Sequence, residues 1–92
     1  MRLVTKTVYP TNQFKRDIKK RALELATPAW AEVLHCLCTD LVLPKKYRDH
    51  DLTGNWVGCR DCHVKPDLVL IYEYRNNDLI LHRLGTHSEL FG

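Results

Sequence analysis

No apolar stretch in this sequence approaches the roughly 20 residues that a membrane-spanning helix needs. The first ten residues, MRLVTKTVYP, lack both the apolar core and the small-residue cleavage site of a secretory signal. Internal repeats, low-complexity tracts and linker-like segments are missing as well. With 92 residues there is no room for a second core. These absences lead us to expect one domain over residues 1–92, cytoplasmic, in a compartment that keeps thiols reduced. The four cysteines are then not a disulfide framework.

What is present is ordinary globular material: 45% hydrophobic and 27% charged residues, enough apolar content to argue against disorder. The net charge of +3 is modest but uneven. Residues 1–27 hold seven Lys/Arg against two acidic residues, Asp17 and Glu24. Lys45, Lys46 and Arg48 make a second basic group. A solvated helix face accounts for KRDIKKR by itself. Two such patches on a small domain also suit a polyanion, nucleic acid first.

Alternation in RLVTKTVY predicts a first strand, ended by Pro10. A helix follows, capped by Thr11 or Asn12, with an apolar stripe at Phe14, Ile18, Ala22 and Leu25. Thr27 and Pro28 form the cap and first position of a second helix, whose stripe is Trp30, Val33, Leu34, Leu37, Cys38 and Leu41. Residues 44–55 read as a loop. Three strands come next, WVGCRDCHV, DLVLIYEYR and LILHRLG, joined by tight turns, with THSELFG as a tail. The predicted order is β-α-α-β-β-β: an α+β fold in which two helices pack on one face of an antiparallel sheet.

The stretch CRDCH, residues 59–63, matches a covalent haem signature and, with Cys36 and Cys38, half of a zinc site. Periodicity argues against both. Residues two apart on a helix point roughly 200° apart, which separates Cys36 from Cys38. Residues three apart on a strand lie on opposite faces, which separates Cys59 from Cys62. Neither pair can chelate one ion, so no metal and no cofactor is expected. The same strand instead aligns Cys59, Asp61 and His63 on one face. In a three-stranded meander, the end of the first strand, the start of the second and the end of the third share an edge. His63, Asp67 and His87 fall at those places, and His50 in the preceding loop can fold over them. For any one histidine a solvated or hydrogen-bonded ring is the simpler reading, and His35 and His82 are left with it. Arg83 is a candidate phosphate clamp, and Arg60 a weaker one, because a guanidinium matches phosphate oxygens bidentately. A surface ion pair is the plain alternative for Arg60.

The motifs LP-x-x-YRDH, L-x-G-x-W, RD-x-HV-x-PD, LIY and GTH-x-x-LFG run in order through residues 43–92. In that order and spacing the chain resembles the YafQ-type toxins of the RelE/ParE superfamily of bacterial toxin–antitoxin systems. Residues 1–42 resemble them only in architecture. The resemblance implies a ribosome-dependent endoribonuclease that cuts mRNA during translation and is neutralised by a DinJ-like antitoxin, the complex also binding operator DNA. It places active-site residues on His50, His63, Asp67, His87 and Phe91. The chain departs from the family pattern at Cys59, often tyrosine, and at Leu68, commonly aromatic. Under this reading Lys15, Lys19, Lys20 and Arg21, with Lys45, Lys46 and Arg48, hold ribosomal RNA by charge. Two other classes compete: a non-catalytic ParE-like toxin that binds a protein such as gyrase, and a metal or redox module built on the cysteines.

Overall fold

The computed structural model describes residues 5–92, so Leu3 and Val4 of the expected first strand lie outside the described residues. Strand β1 covers Thr7–Pro10. Helix α1, Asn12–Lys19, starts where Thr11 turns extended and its Oγ1 accepts the Phe14 amide at 3.1 Å. That bond satisfies one of the free donors of a helix N-terminus. The helix stops at Lys19, and the rest of the expected stripe continues as a 3₁₀ turn, Ala22–Ala26, with Leu25 half-buried. Helix α2, Pro28–Cys38, is capped in the same way by Thr27 on the Trp30 amide and has proline at its start. Leu41, expected on its stripe, lies beyond the helix and is exposed. Cys36, expected to face away from Cys38, is buried with it, because Leu43 and Tyr47 extend the same core across that flank.

The predicted loop contains a short strand, β2 (His50–Asp51), between two 3₁₀ turns, Lys45–Tyr47 and Gly54–Trp56. Then come β3 (Arg60–Lys65), β4 (Leu68–Arg75) and β5 (Asp78–Gly85). The expected tail forms helix α3, His87–Phe91, held by a reciprocal capping box between Thr86 and Glu89. The sheet order is β1-β5-β4-β3-β2. The meander β2 to β5 is antiparallel, as expected, but β1 pairs with β5 in parallel, so the sheet is mixed. Strand direction is set by the route of the two-helix connection across the sheet, which no side-chain alternation encodes.

The alternation of β3, β4 and β5 sorts their residues onto two faces. Cys62, Val64, Leu68, Leu70, Tyr72, Leu79, Leu81 and Leu84 form the main core with Phe14 of α1 and Trp30, Val33 and Leu37 of α2. Cys59, Val69, Ile71 and Leu90 form a second, smaller cluster on the other face, joined by Trp56 and Phe91. Where β4 and β5 pair, the register slips: Ile71 faces Arg83 and Tyr72 faces Leu81, which leaves His82 as an extra residue. Such a bulge directs two consecutive side chains to one side of the sheet.

Candidate active site

Cross-strand pairing builds the site. His50 of β2 lies opposite Asp61 of β3, Asp61 opposite Ile71 of β4, and Ile71 opposite Arg83 of β5. Partners in such a row share a face, with strands about 4.8 Å apart. The next row is His63, Val69 and Gly85. A Cβ on Gly85 would lie 2.9 Å from Glu89 Oε1 and 3.3 Å from Leu90 Cδ2. The missing side chain is what lets α3 lie close against the end of β5, bringing His87 to the row of His63.

Asp61 sits at the centre. It is only 3% exposed, and its Oδ1 is the one buried side-chain polar atom among the described residues without a hydrogen-bond partner. His50 Nδ1 is 3.1 Å from that oxygen but 2.8 Å from the Arg48 carbonyl, and a single ring hydrogen cannot serve both well. Burial raises the Asp61 pKa above the usual carboxylate range, while His50, His63 and His87 pull it back down. Three imidazoles therefore lie within electrostatic reach of one buried carboxyl group.

Asp67 occupies the two-residue turn between β3 and β4, where its Oδ1 accepts the backbone N–H of His87 at 3.3 Å. That bond ties the turn to the first residue of α3. The His63 ring lies beside the same turn, with Nδ1 3.4 Å from the Pro66 carbonyl oxygen. One helical turn separates His87 from Phe91, and their rings pack 4.9 Å apart. His87 and Asp67 are exposed, and Phe91 is half-buried against the smaller cluster. The structure thus brings together His50, His63, Asp67, His87 and Phe91 on one face and edge of the sheet.

A family model described as "Bacterial toxin of type II toxin-antitoxin system, YafQ" matches residues 6–92. The chain belongs to the YafQ toxin family. A relative named mRNA interferase toxin YafQ, from Escherichia coli strain K12, is 36% identical over 93 residues, covering 98% of this chain and all of its own. The YafQ-type architecture is shared with the solved E. coli DinJ–YafQ complex at 36% identity and a TM-score of 0.79, covering 95% of this chain and 99% of that one. It is shared also with a metal-bound toxin from Helicobacter pylori at 38% identity and a TM-score of 0.83, covering 94% and 99%.

Within this YafQ-family chain the basic residues divide into free and occupied. Lys15, Lys19 and Lys20 are exposed on α1 and its end, and Lys45 and Arg48 on the turn before β2, where Lys46 is exposed too but lies 3.7 Å from Glu32. Lys46, Arg48, His63 and Lys65 line a cleft of about 450 Å³, His63 being the one site histidine on its wall. Arg21 pairs with Glu89 of α3. Arg83 lies in the site row, yet its guanidinium is anchored by Asp17 of α1, at 2.8 Å through Nε and 3.2 Å through Nη2. Arg60 is likewise occupied: Asp49, at 3.0 Å, and Asp51 hold it in an ion-pair cluster, and Tyr72 beside it donates to Asp49. Its strand position dictates this, since Arg60 alternates with Asp61 and faces the other way.

Asp61 is the residue that site prediction passed over. The signal was its spacing of two from His63, already used to place both on one face. Of the two cysteine pairs only one is split: Cys62 lies in the main core and Cys59 in the smaller cluster, whereas Cys36 and Cys38 share the main core. Metal-ligating capacity resides instead in Cys59, Glu73 and His82, whose ligand atoms all lie within 4.8 Å of one another. No helix among the described residues is long and apolar enough to cross a membrane.

Proposed function

We propose that this chain is a ribosome-dependent endoribonuclease, an mRNA interferase that cleaves mRNA in the ribosomal A site. The supporting observation is the gathering of His50, His63 and His87 around buried Asp61, with Asp67 at the edge and a basic cleft alongside. Cleavage by the internal 2′-hydroxyl needs a base for its proton, an acid for the departing 5′-oxygen and positive charge for the crowded phosphorane. Histidine suits the first two roles because its pKa lies near neutrality.

In this mechanism His87 is the general acid, Asp67 or His63 is the base, and His50 assists at the phosphate. Asp61 acts through the imidazoles, orienting them and favouring their protonated forms, which makes it a positioning residue. Phe91 supports the His87 ring and offers a face on which a nucleobase can stack. No step calls for a metal. Arg48 and Lys46 reach the cleft as phosphate contacts, and Arg83 joins them only if Asp17 releases part of its guanidinium. Lys15, Lys19, Lys20, Arg21 and Lys45 add sequence-independent contacts to ribosomal RNA.

A ribosomal substrate places the protein in the cytoplasm. Its partner is a DinJ-like antitoxin that covers or repositions the 50–91 site edge, and operator DNA is met only through that complex. The test is primer extension on an mRNA held by translating ribosomes, with wild type and His87→Ala side by side. Cuts at A-site codons from wild type alone are expected. Absence of cuts from either protein, with ribosome binding intact, would overturn the nuclease in favour of a non-catalytic toxin.

A further inference from the structure

We infer that Cys59, Glu73 and His82 form a binding site for a thiophilic divalent cation, Zn²⁺ in the first instance, separate from the candidate active site. Two strands and the residue leading into a third supply the three side chains, and all face the side of the sheet that carries the smaller cluster. Cys59 directly precedes β3, Glu73 lies on β4, and His82 is the extra residue of the β5 bulge. Without that bulge, β5 would not direct His82 and Arg83 to one side.

The donor set is one of soft sulfur, imidazole nitrogen and carboxylate oxygen, the combination that Zn²⁺ takes in tetrahedral sites. With bonds of about 2.0–2.3 Å, two ligands of such an ion stand roughly 3.3–3.8 Å apart. The three donor atoms already lie within 4.8 Å of one another, so side-chain adjustment closes the site without moving a strand. His82 Nε2 is 2.9 Å from Glu73 Oε1, a pair that must open slightly and give up the ring proton. The Glu73 carboxylate is shared with Arg75, at 3.0 Å, an exposed side chain free to swing away. Trp56 packs edge-on against the His82 ring, centroids 5.9 Å apart, and holds its orientation. Cys59 is buried, while the Glu73 and His82 side chains are about one-fifth exposed, which leaves a side open for ion entry and for water as fourth ligand.

The site lies about two residues along the strands from the row of Asp61, Ile71 and Arg83, or roughly 7 Å. An ion there would pin β3, β4 and β5 together beside the histidines without touching them. Its role is to fix the sheet, not to take part in catalysis, and it stands whether or not the nuclease reading does.

Titration of the purified protein with Co²⁺, a coloured stand-in for Zn²⁺, tests this. Wild type should develop a thiolate-to-cobalt charge-transfer band that saturates at one equivalent, and Zn²⁺ should displace it. Trp56 fluorescence should be quenched in parallel. Cys59→Ser and His82→Gln should each weaken binding by about 100-fold or more, and Cys59→Ser should lose the band. His87→Ala, which removes a histidine from the other site, should bind like wild type. No band in wild type, or an undiminished band in Cys59→Ser, overturns the site. So does loss of binding in His87→Ala alone. Should Cys59→Ser fail to fold, an unchanged affinity in His82→Gln overturns it equally.

Discussion

Under α1 and α2 the sheet presents Cys62, Leu70, Leu79 and Leu84, each essentially inaccessible and packed against helix side chains. Among the described residues its opposite face is covered by Leu52, the turn around Trp56 and the five residues of α3, and there Asp61 is buried within electrostatic reach of three imidazoles. The same three strands, β3, β4 and β5, thus support one face that maximises apolar burial and another that holds a carboxyl group at the expense of stability. Rigid packing on the first face permits strained electrostatics on the second. Substitutions on the two faces should therefore separate stability from activity.

Leu70→Ala should show the largest effect on the helix face, a loss of about 2–5 kcal/mol in denaturant unfolding from the lost burial and the cavity left behind. Cleavage per folded molecule should hardly change, and a large drop would mean that the faces are coupled. On the other face His87→Ala should reverse the pattern, with cleavage down by roughly 100-fold or more and the melting temperature nearly unchanged.

Asp61→Asn sharpens the contrast, because one substitution should move the two properties in opposite directions. Burial raises the Asp61 pKa, so folding takes up a proton between the ordinary carboxylate value of about 4 and the raised one. Stability contributed by this group therefore falls as pH rises through that window. Asp61→Asn should flatten that dependence and raise the melting temperature at neutral pH, while cleavage drops about 10-fold or more. Thermal melts from pH 4 to pH 8 with parallel cleavage assays check both halves. A melting temperature lowered at pH 7 would mean that the carboxylate is net stabilising after all.

Smaller effects test the frame itself. Thr11 accepts the Phe14 amide and donates to the His82 carbonyl at 3.0 Å, so it links α1 to β5 from the helix side. Thr11→Ala should cost about 1 kcal/mol in unfolding experiments and leave the chemistry intact. Lys19→Gln and Lys20→Gln should each leave the fold unchanged and reduce the salt dependence of ribosome binding by about one counterion. An unaltered salt slope would assign these lysines to solubility alone.

Much of this organisation was legible in the residues. Thr11 and Thr27–Pro28 marked both helix starts because a cap is a local hydrogen bond. The alternation of DLVLIYEYR, a turn read at Lys65–Pro66 and the polar tip NND marked the meander for the same local reason. Even the β5 bulge left a trace: the buried leucines fall at 79, 81 and 84, a step of two followed by a step of three. The separation of Cys59 from Cys62 followed from strand alternation, which puts residues three apart on opposite faces.

The remainder depended on partners distant in sequence. A guanidinium at position 83 or 60 is equally fit for phosphate or carboxylate, and only folding brought Asp17 to the first and Asp49 to the second. THSELFG carries a local helix signal in its Thr86/Glu89 capping box, but where that helix docks depended on Gly85 leaving room for it. The parallel placement of β1, the orphaned oxygen of Asp61 and the meeting of Cys59, Glu73 and His82 are likewise long-range events. Local periodicity fixes which way a side chain points along its own strand, whereas which residue stands opposite is decided by register and chain path, which are properties of the packed molecule.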